Sequence, residues 1–237
     1  MSDAIYPTLS RQTGLLREMD VIAQNIANAG TTGYRAEGVI FSEHVLGGGR
    51  DMPSISMAHG TGRKTLHAQG GLDRTNGTFD LAIEGPGYFV VDVAGEPHLT
   101  RAGAFTTGPD GALLTPEGHA VLDEADTPIF VPTDADAIHV GQDGTISADG
   151  APVARVAVVT PDDPLAMSRH AGTMFRTDAY AAVDTPKVAQ GFLEQSNVDP
   201  VTQIARMIMV QNAYEMGQGF MDREDERMRS MLRLMDQ

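Results

Sequence analysis

The sequence predicts an α+β protein: one long amphipathic helix at each end of the chain and an all-β domain of many short strands between them. Two observations carry this. Apolar residues recur in alternating steps of 4 and 3 over about the first 29 residues, and again from about Pro200 onward. The intervening chain is rich in Gly, Pro, Asp and Thr, and its apolar runs are short and bounded by turn signals.

The first stripe is Ile5, Leu9, Gln12, Leu16, Met19, Ala23 and Ile26, polar only at Gln12. Pro7 fits a helix only in its first turn, which sets the start near Tyr6 or Pro7. Gly30, followed by Thr31-Thr32-Gly33, sets the end near Asn28. Asn25 and Asn28 share one helix face there. Two readings stand level for them: closing the helix by side-chain to backbone bonds, or hydrogen bonding between subunits.

The segment 36–75 carries Gly, Ser and His without a clear period and includes Gly47-Gly48-Gly49; it reads as an extended connector with an edge strand or two. The β domain spans 76–188. Its β-type runs include Phe79–Ile83, Tyr88–Val91, Ala120–Leu122 and Arg155–Val159, and Asp-Gly pairs at 110–111, 143–144 and 149–150 mark turns. These features predict a distorted sandwich or barrel. The last segment, 189–237, opens its helix at Asn197-Val198-Asp199-Pro200. Its stripe runs Met207, Val210, Tyr214, Gly217, Met221, Glu224, Met228, Met231 and Met235. A helix of roughly 35 residues is about 50 Å long.

Each stripe is narrow, and the two can bury one another as an antiparallel coiled coil. Leu15, Ile22, Ile204, Ile208, Phe220, Leu232 and Leu234 lie off these seams, more apolar surface than an isolated pair buries, which implies a further partner surface.

Composition excludes several function classes. The 237 residues hold 17 Lys and Arg against 32 Asp and Glu, a net charge of −15 that repels nucleic acid and anionic lipid. Cys is absent, which removes disulfides, thiol catalysis and Cys-based metal sites. No apolar run approaches a membrane span, and the opening residues lack the pattern of a cleaved secretory signal. Seven scattered His residues offer no metal-ligand spacing. The enzyme class to weigh is a glycan hydrolase, with Asp123-Glu124-x-Asp126 and Asp162-Asp163 as its carboxylates, but these flank prolines and read as solvated turns. Asp143-Gly144 and Asp149-Gly150 lack the alternating ligands of a calcium loop and read as a hairpin. No catalytic residue, cofactor or metal is expected.

Three phrases carry a family resemblance. Ala23-Gln24-Asn25-Ile26-Ala27-Asn28-Ala29-Gly30-Thr31-Thr32-Gly33-Tyr34-Arg35 resembles the N-terminal signature of the flagellar rod and hook proteins, with Gln24 where Asn is commoner. Asp80–Val91 and Thr100-Arg101-Ala102-Gly103-Ala104-Phe105 are similar to the family's middle phrases. Gly191-Phe192-Leu193-Glu194-Gln195-Ser196-Asn197-Val198-Asp199-Pro200, followed by Ala213-Tyr214-Glu215, looks like its C-terminal entry. Within the family, the opening residues 5–12 and the single short β domain look most like the proximal rod members, with distal rod members the near rival.

The resemblance implies a structural subunit of the bacterial flagellar basal-body rod, a helical drive shaft that crosses the periplasm and transmits torque. It implies that the terminal helices form an inner tube and the β domain an outer layer. The implied partners are other rod subunits, proximal and distal, the chain itself, and the flagellar type III export apparatus, without nucleic acid or membrane insertion. The assembly interface expected on this basis comprises Leu9, Leu16, Met19, Asn25, Ile26 and Asn28 on the first helix, and Met207, Val210, Tyr214, Met221, Met228 and Met231 on the last.

Overall fold

The computed structural model describes residues 5–46 and 55–235; the Gly47-Gly48-Gly49 run falls outside them, as do the side chains of Ile5 and Met235 at the outer ends of the two stripes. The chain forms two compact units. The first gathers Met1–Asn28, Ala36–Leu66 and Val198–Gln237; the second gathers Ala29–Arg35 and His67–Asn197.

The first unit contains two helices, α1 (Ile5–Ala27) and α2 (Pro200–Met235), and two strands, β1 (Glu37–Leu46) and β2 (Ile55–Thr65). Pro7 sits in the first turn of α1, where its missing N–H costs no helical bond. Asp199 caps α2: its side chain accepts the Val201 N–H at 3.1 Å and the Thr202 hydroxyl at 2.5 Å, and Pro200 follows as the first helical residue. The 36 residues of α2 span about 54 Å, against about 35 Å for the 23 of α1.

The segment expected to be a connector with an edge strand or two holds a long antiparallel hairpin. β1 and β2 pair from Glu37 with Thr65 to Leu46 with Ile55, with an irregularity between Ile40 and Phe41. α1 packs against both strands and against α2.

The second unit is almost entirely β. Its largest sheet centres on the strand Tyr88–Val93, which pairs antiparallel with Glu96–Thr100, Ala120–Val121 and Val158–Pro161. Alternation places Phe89 and Val91 on one face and Tyr88 and Val90 on the other. Both faces are covered. Phe89 and Val91 join Leu81, Leu113, Ile129 and Ile146 in the larger core, while Tyr88 and Val90 pack with Leu99, Leu122 and Phe175. A second, three-stranded sheet joins Ile138–Val140, Thr145–Ala148 and Ala151–Arg155. Among the described strands no sheet closes into a barrel, so the α+β class stands and the barrel does not.

The Asp-Gly turns explain the shortness of these strands. Asp149 and Gly150 both take positive φ, 51° and 81°, the conformation of a two-residue hairpin turn. The Asp143 carboxylate accepts both the backbone N–H and the hydroxyl of Thr145, which closes the preceding turn and leaves a hairpin where a calcium loop was weighed.

Candidate assembly interface

Three features fix the first unit. α1 and α2 run antiparallel, as the order of their contacts requires: Asn25 lies against Gln203, Glu18 against Arg206 and Gln12 against Tyr214. The shared apolar seam is Leu15, Ile22 and Val210, flanked by Met19, Ile26, Met207, Ala213 and Tyr214. Polar groups border it. Gln12 donates to the Tyr214 carbonyl at 2.9 Å, and Arg206 pairs with Glu18 at 2.6 Å. Gly217 leaves the space Gln12 fills, since a Cβ there would lie 2.2 Å from Gln12 Nε2.

On α2 the residues facing α1 follow the sequence stripe through Met207, Val210 and Tyr214 to Gly217, and Met221 beyond them is half-buried. On α1 the seam is rotated by about 40°, since Gln12, Met19 and Ile26 keep their places while Leu15 and Ile22 replace Leu16 and Ala23. Met19 and Ile26 contribute, but Leu9 and Leu16 are 54% and 45% exposed, and Leu15 and Ile22 take the buried positions. The reason is the hairpin. It occupies a third face of α1, and Val21 and Asn25, which the stripe left out of the helix pair, are 2% and 1% exposed. A helix held from two sides turns to satisfy both.

Asn25 serves the hairpin. Its amide donates to the Glu37 carbonyl at 2.8 Å and accepts the Glu37 N–H at 2.9 Å, as a strand residue would. Asn28 donates to the Gln24 carbonyl at 2.8 Å and closes the helix end. Both arrangements lie within the chain. Met228 and Met231 continue the α2 stripe but are exposed. Around them, and on the faces of α2 turned from α1, Ile204, Ile208, Met209, Met216, Leu232 and Leu234 are also exposed.

The second unit holds a polar node that sequence reasoning did not single out. Arg35 and Glu194 are fully buried and pair at 2.5 Å; Arg101, 4% exposed, lies 3.3 Å from the second Glu194 oxygen. Arg35 also donates to the Ala68 carbonyl at 2.7 Å, and Arg101 donates to the carbonyls of Ile83 and Gly85. Arg101 faces the Tyr88 ring at 5.4 Å. Burial pushes the Tyr88 hydroxyl above its usual pKa, while Arg35 and Arg101 pull against that shift. Burial also lowers the pKa of Arg101, opposed by Glu194. Close backbone packing surrounds the node. A Cβ on Gly33, whose φ is +68°, would lie 2.3 Å from the Arg101–Ala102 backbone, and one on Gly103 would lie 1.7 Å from the Leu81 carbonyl.

The acidic clusters weighed for catalysis build turns. Asp123 accepts from the N–H groups of Ala125 and Thr127 and from the Thr127 hydroxyl; burial is the largest single influence and raises its pKa, but these hydrogen bonds together outweigh it and hold the pKa below its usual value. Asp163 accepts the Leu165 N–H at 2.9 Å.

Family models match three segments of the chain: that of the flagella basal body rod protein over 5–35, that of the flagellar hook protein FlgE/F/G D1 domain over 82–148, and that of the flagellar basal body rod FlgEFG protein C-terminal over 189–234. The flagellar basal-body rod protein FlgF of Caulobacter vibrioides is 36% identical over 97% of this chain and 96% of its own length. The chain belongs to the flagellar basal-body rod protein family. The rod protein FlgF of Mesorhizobium japonicum is 36% identical over 91% of this chain and 90% of its own, and the rod protein FlgG of Bacillus subtilis is 29% identical over 99% of each.

As a rod-family member the chain is most like FlgF, is a structural protein and not an enzyme, and belongs to the flagellar basal body. No helix among the described residues is long and apolar enough to cross a membrane. Each of the three family segments supplies one member of the buried node: Arg35 from the first, Arg101 from the second and Glu194 from the third.

Proposed function

We propose that this chain is a subunit of the proximal rod, built into the axial shaft by contacts that its two terminal helices make with neighbouring rod subunits. The observation that carries this is the surplus of apolar surface on α1 and α2, in a chain matched to the rod family along nearly its whole length. Leu9 and Leu16 stand clear of the seam with α2, and Met209, Met216, Met228 and Met231 stand clear on α2. A water-exposed helix gains nothing from such side chains, whereas a helix packed on several neighbours buries them. Methionine suits neighbours that are not identical, because its thioether chain adapts to irregular holes.

On this reading α1 and α2 form the coiled-coil wall of the inner tube and the β-rich unit forms the outer layer. Leu9, Leu16, Met19 and Ile26 together with Met207, Val210, Tyr214, Met221, Met228 and Met231 divide the labour, some holding the pair and the rest meeting neighbours. Asn25 and Asn28 shape the end of α1 that presents this surface. The partners are other rod subunits, proximal and distal, and further copies of this chain; delivery is through the flagellar export apparatus into the periplasm. Torque passes through repeated, non-closing contacts of this kind.

The absence of Cys makes the test direct, because a single introduced thiol is unique. Met216→Cys and Met231→Cys variants, cross-linked in purified basal bodies, are expected to join other rod subunits. An Asp92→Cys variant, in the β-rich unit, serves as a comparison. Capture of the chain only outside the basal body, or a position in the distal rod by imaging, would overturn the assignment.

A further inference from the structure

Residues 29–35 follow α1 and precede β1, yet they pack as part of the second unit. Gly33, Tyr34 and Arg35 are buried there. The strap is held by backbone bonds, the Gly33 N–H to the Glu194 carbonyl at 2.7 Å and the Asn197 N–H to the Tyr34 carbonyl at 3.3 Å. Arg169 grips it from outside. Its guanidinium lies 4.5 Å from the Tyr34 ring and 4.7 Å from that of Phe175, and it donates to the Arg35 carbonyl at 2.6 Å. The strap's only large apolar surface is the Tyr34 ring; its deepest side chain is the Arg35 guanidinium.

A guanidinium at 0% exposure has to be met by a carboxylate. The carboxylate is Glu194, at the far end of the unit's sequence, and it serves Arg101 as well. Two cations on one anion make the node intolerant of losing the anion: without Glu194 two like charges face each other in a dry site. Glu194 also accepts the Gly70 N–H at 3.1 Å, so its position depends on the chain at 70.

We propose that Arg35, Arg101 and Glu194 form an ionic clasp that docks the 29–35 strap only once the whole β-rich unit, through residue 194, is in place. Arg101 is set by the central sheet and Glu194 by the closing strand Phe192–Glu194, which pairs with Leu72–Arg74. Arg35 therefore finds its complete partner set last. The clasp makes strap docking report the completeness of the fold, and opening it frees the strap while the apolar cores stay closed, although the node touches the smaller core through the Tyr88 ring. The inference concerns the free subunit and does not depend on the rod assignment.

The test uses the full chain with Glu194→Gln, which keeps the shape and the acceptor for Gly70 but removes the charge. Two readouts are taken: trypsin cleavage after Arg35, and hydrogen exchange at Gly33 and Tyr34 against the amides of Tyr88–Val93. The expected result is a rise of roughly a hundredfold in strap exchange, with cutting after Arg35, while the central strand keeps its protection. Unchanged strap protection would show that packing alone holds it and would overturn the clasp. Joint loss of strap and strand protection would show the node to be ordinary core and would overturn it too. Should Glu194→Gln fail to fold, Arg35→Lys answers the same question: it keeps the charge and the tryptic site but loses the planar fork. Its strap is expected to exchange at least tenfold faster than wild type, with the strand unaffected; equal rates would overturn the proposal.

Discussion

Exchanging alanine for each of two neighbouring leucines distinguishes the rotation of α1 from the stripe read in the sequence. Leu15 is 9% exposed and sits in the seam with Ile22 and Val210; Leu16, one residue on, is 45% exposed. Leu15→Ala removes most of a buried side chain from a seam between two helices and leaves a gap. The cost for such sites is about 2–5 kcal/mol, and a two-helix seam that can partly close belongs near the lower end, at about 2–3 kcal/mol. Leu16→Ala removes a side chain already half in water, worth about 0.5–1 kcal/mol, and alanine returns some of that through better helix propensity. The difference, about 2 kcal/mol, is roughly a 30-fold change in an opening equilibrium. Native-state hydrogen exchange at Val21 and Ile22 in α1 reads it directly, with the amides of Tyr88–Val93 in the other unit as an internal reference. Leu15→Ala is expected to accelerate exchange in α1 strongly and Leu16→Ala hardly at all. Equal effects, or a larger effect from Leu16→Ala, would refute the rotated seam.

Leu16→Asp and Met228→Asp are each expected to abolish swimming while leaving α1–α2 pairing measurable in the free subunit, because both positions are exposed there and, on the proposed assembly, face neighbours in the rod; normal swimming by both would remove them from the interface. Asp199 is held below its usual pKa of 3.8, chiefly by the Thr202 hydroxyl, so the cap it gives α2 is present above that value and is lost as pH falls through the depressed one. An NMR titration is expected to place its midpoint below 3.8, and Asp199→Asn to flatten the acid response of the first turn of α2. Tyr180 is pushed up to about 12 by burial and by its hydrogen bond to Asp126, so its contribution to stability is present below the usual 10.0 and is lost as pH rises through about 12. Absorbance titration of the phenols should show this late tyrosine, and Asp126→Asn should bring its midpoint down.

Elements with local punctuation were legible in the sequence. Pro7, Gly30 and the Asp199-Pro200 start bracket the helices, and the Asp-Gly pairs fall at turns whose glycines take positive φ. What was not legible depended on partners far along the chain. α1 carries two adjacent apolar stripes, Leu9–Leu16 and Leu15–Ile22, and only the hairpin packed on its third face selects between them. That hairpin was itself hidden, because residues 37–65 mix Gly, Ser and His without the alternation that marks a half-buried strand. The node was hardest of all. Arg35, Arg101 and Glu194 are charged residues of the kind usually left in water, and nothing local distinguishes a buried guanidinium from a solvated one. The signal available was their place inside the three phrases that carried the family resemblance.

The pairing of Asn25 with Glu37 has a mechanical consequence. Apolar contacts resist separation but are indifferent to direction, so a helix lying on a sheet through such contacts alone can roll with little resistance. Two opposed hydrogen bonds from one side-chain amide to one peptide group, at 2.8 and 2.9 Å, tolerate only a narrow range of angle. They act as a key between shaft and hub: α1 cannot turn about its own axis without shearing both. In a part loaded in torsion, that carboxamide then adds to the directional hold on α1, alongside the Arg63 bond to Gln24. Asn25→Asp, nearly identical in shape, would turn an acceptor toward the Glu37 carbonyl and let the helix slip.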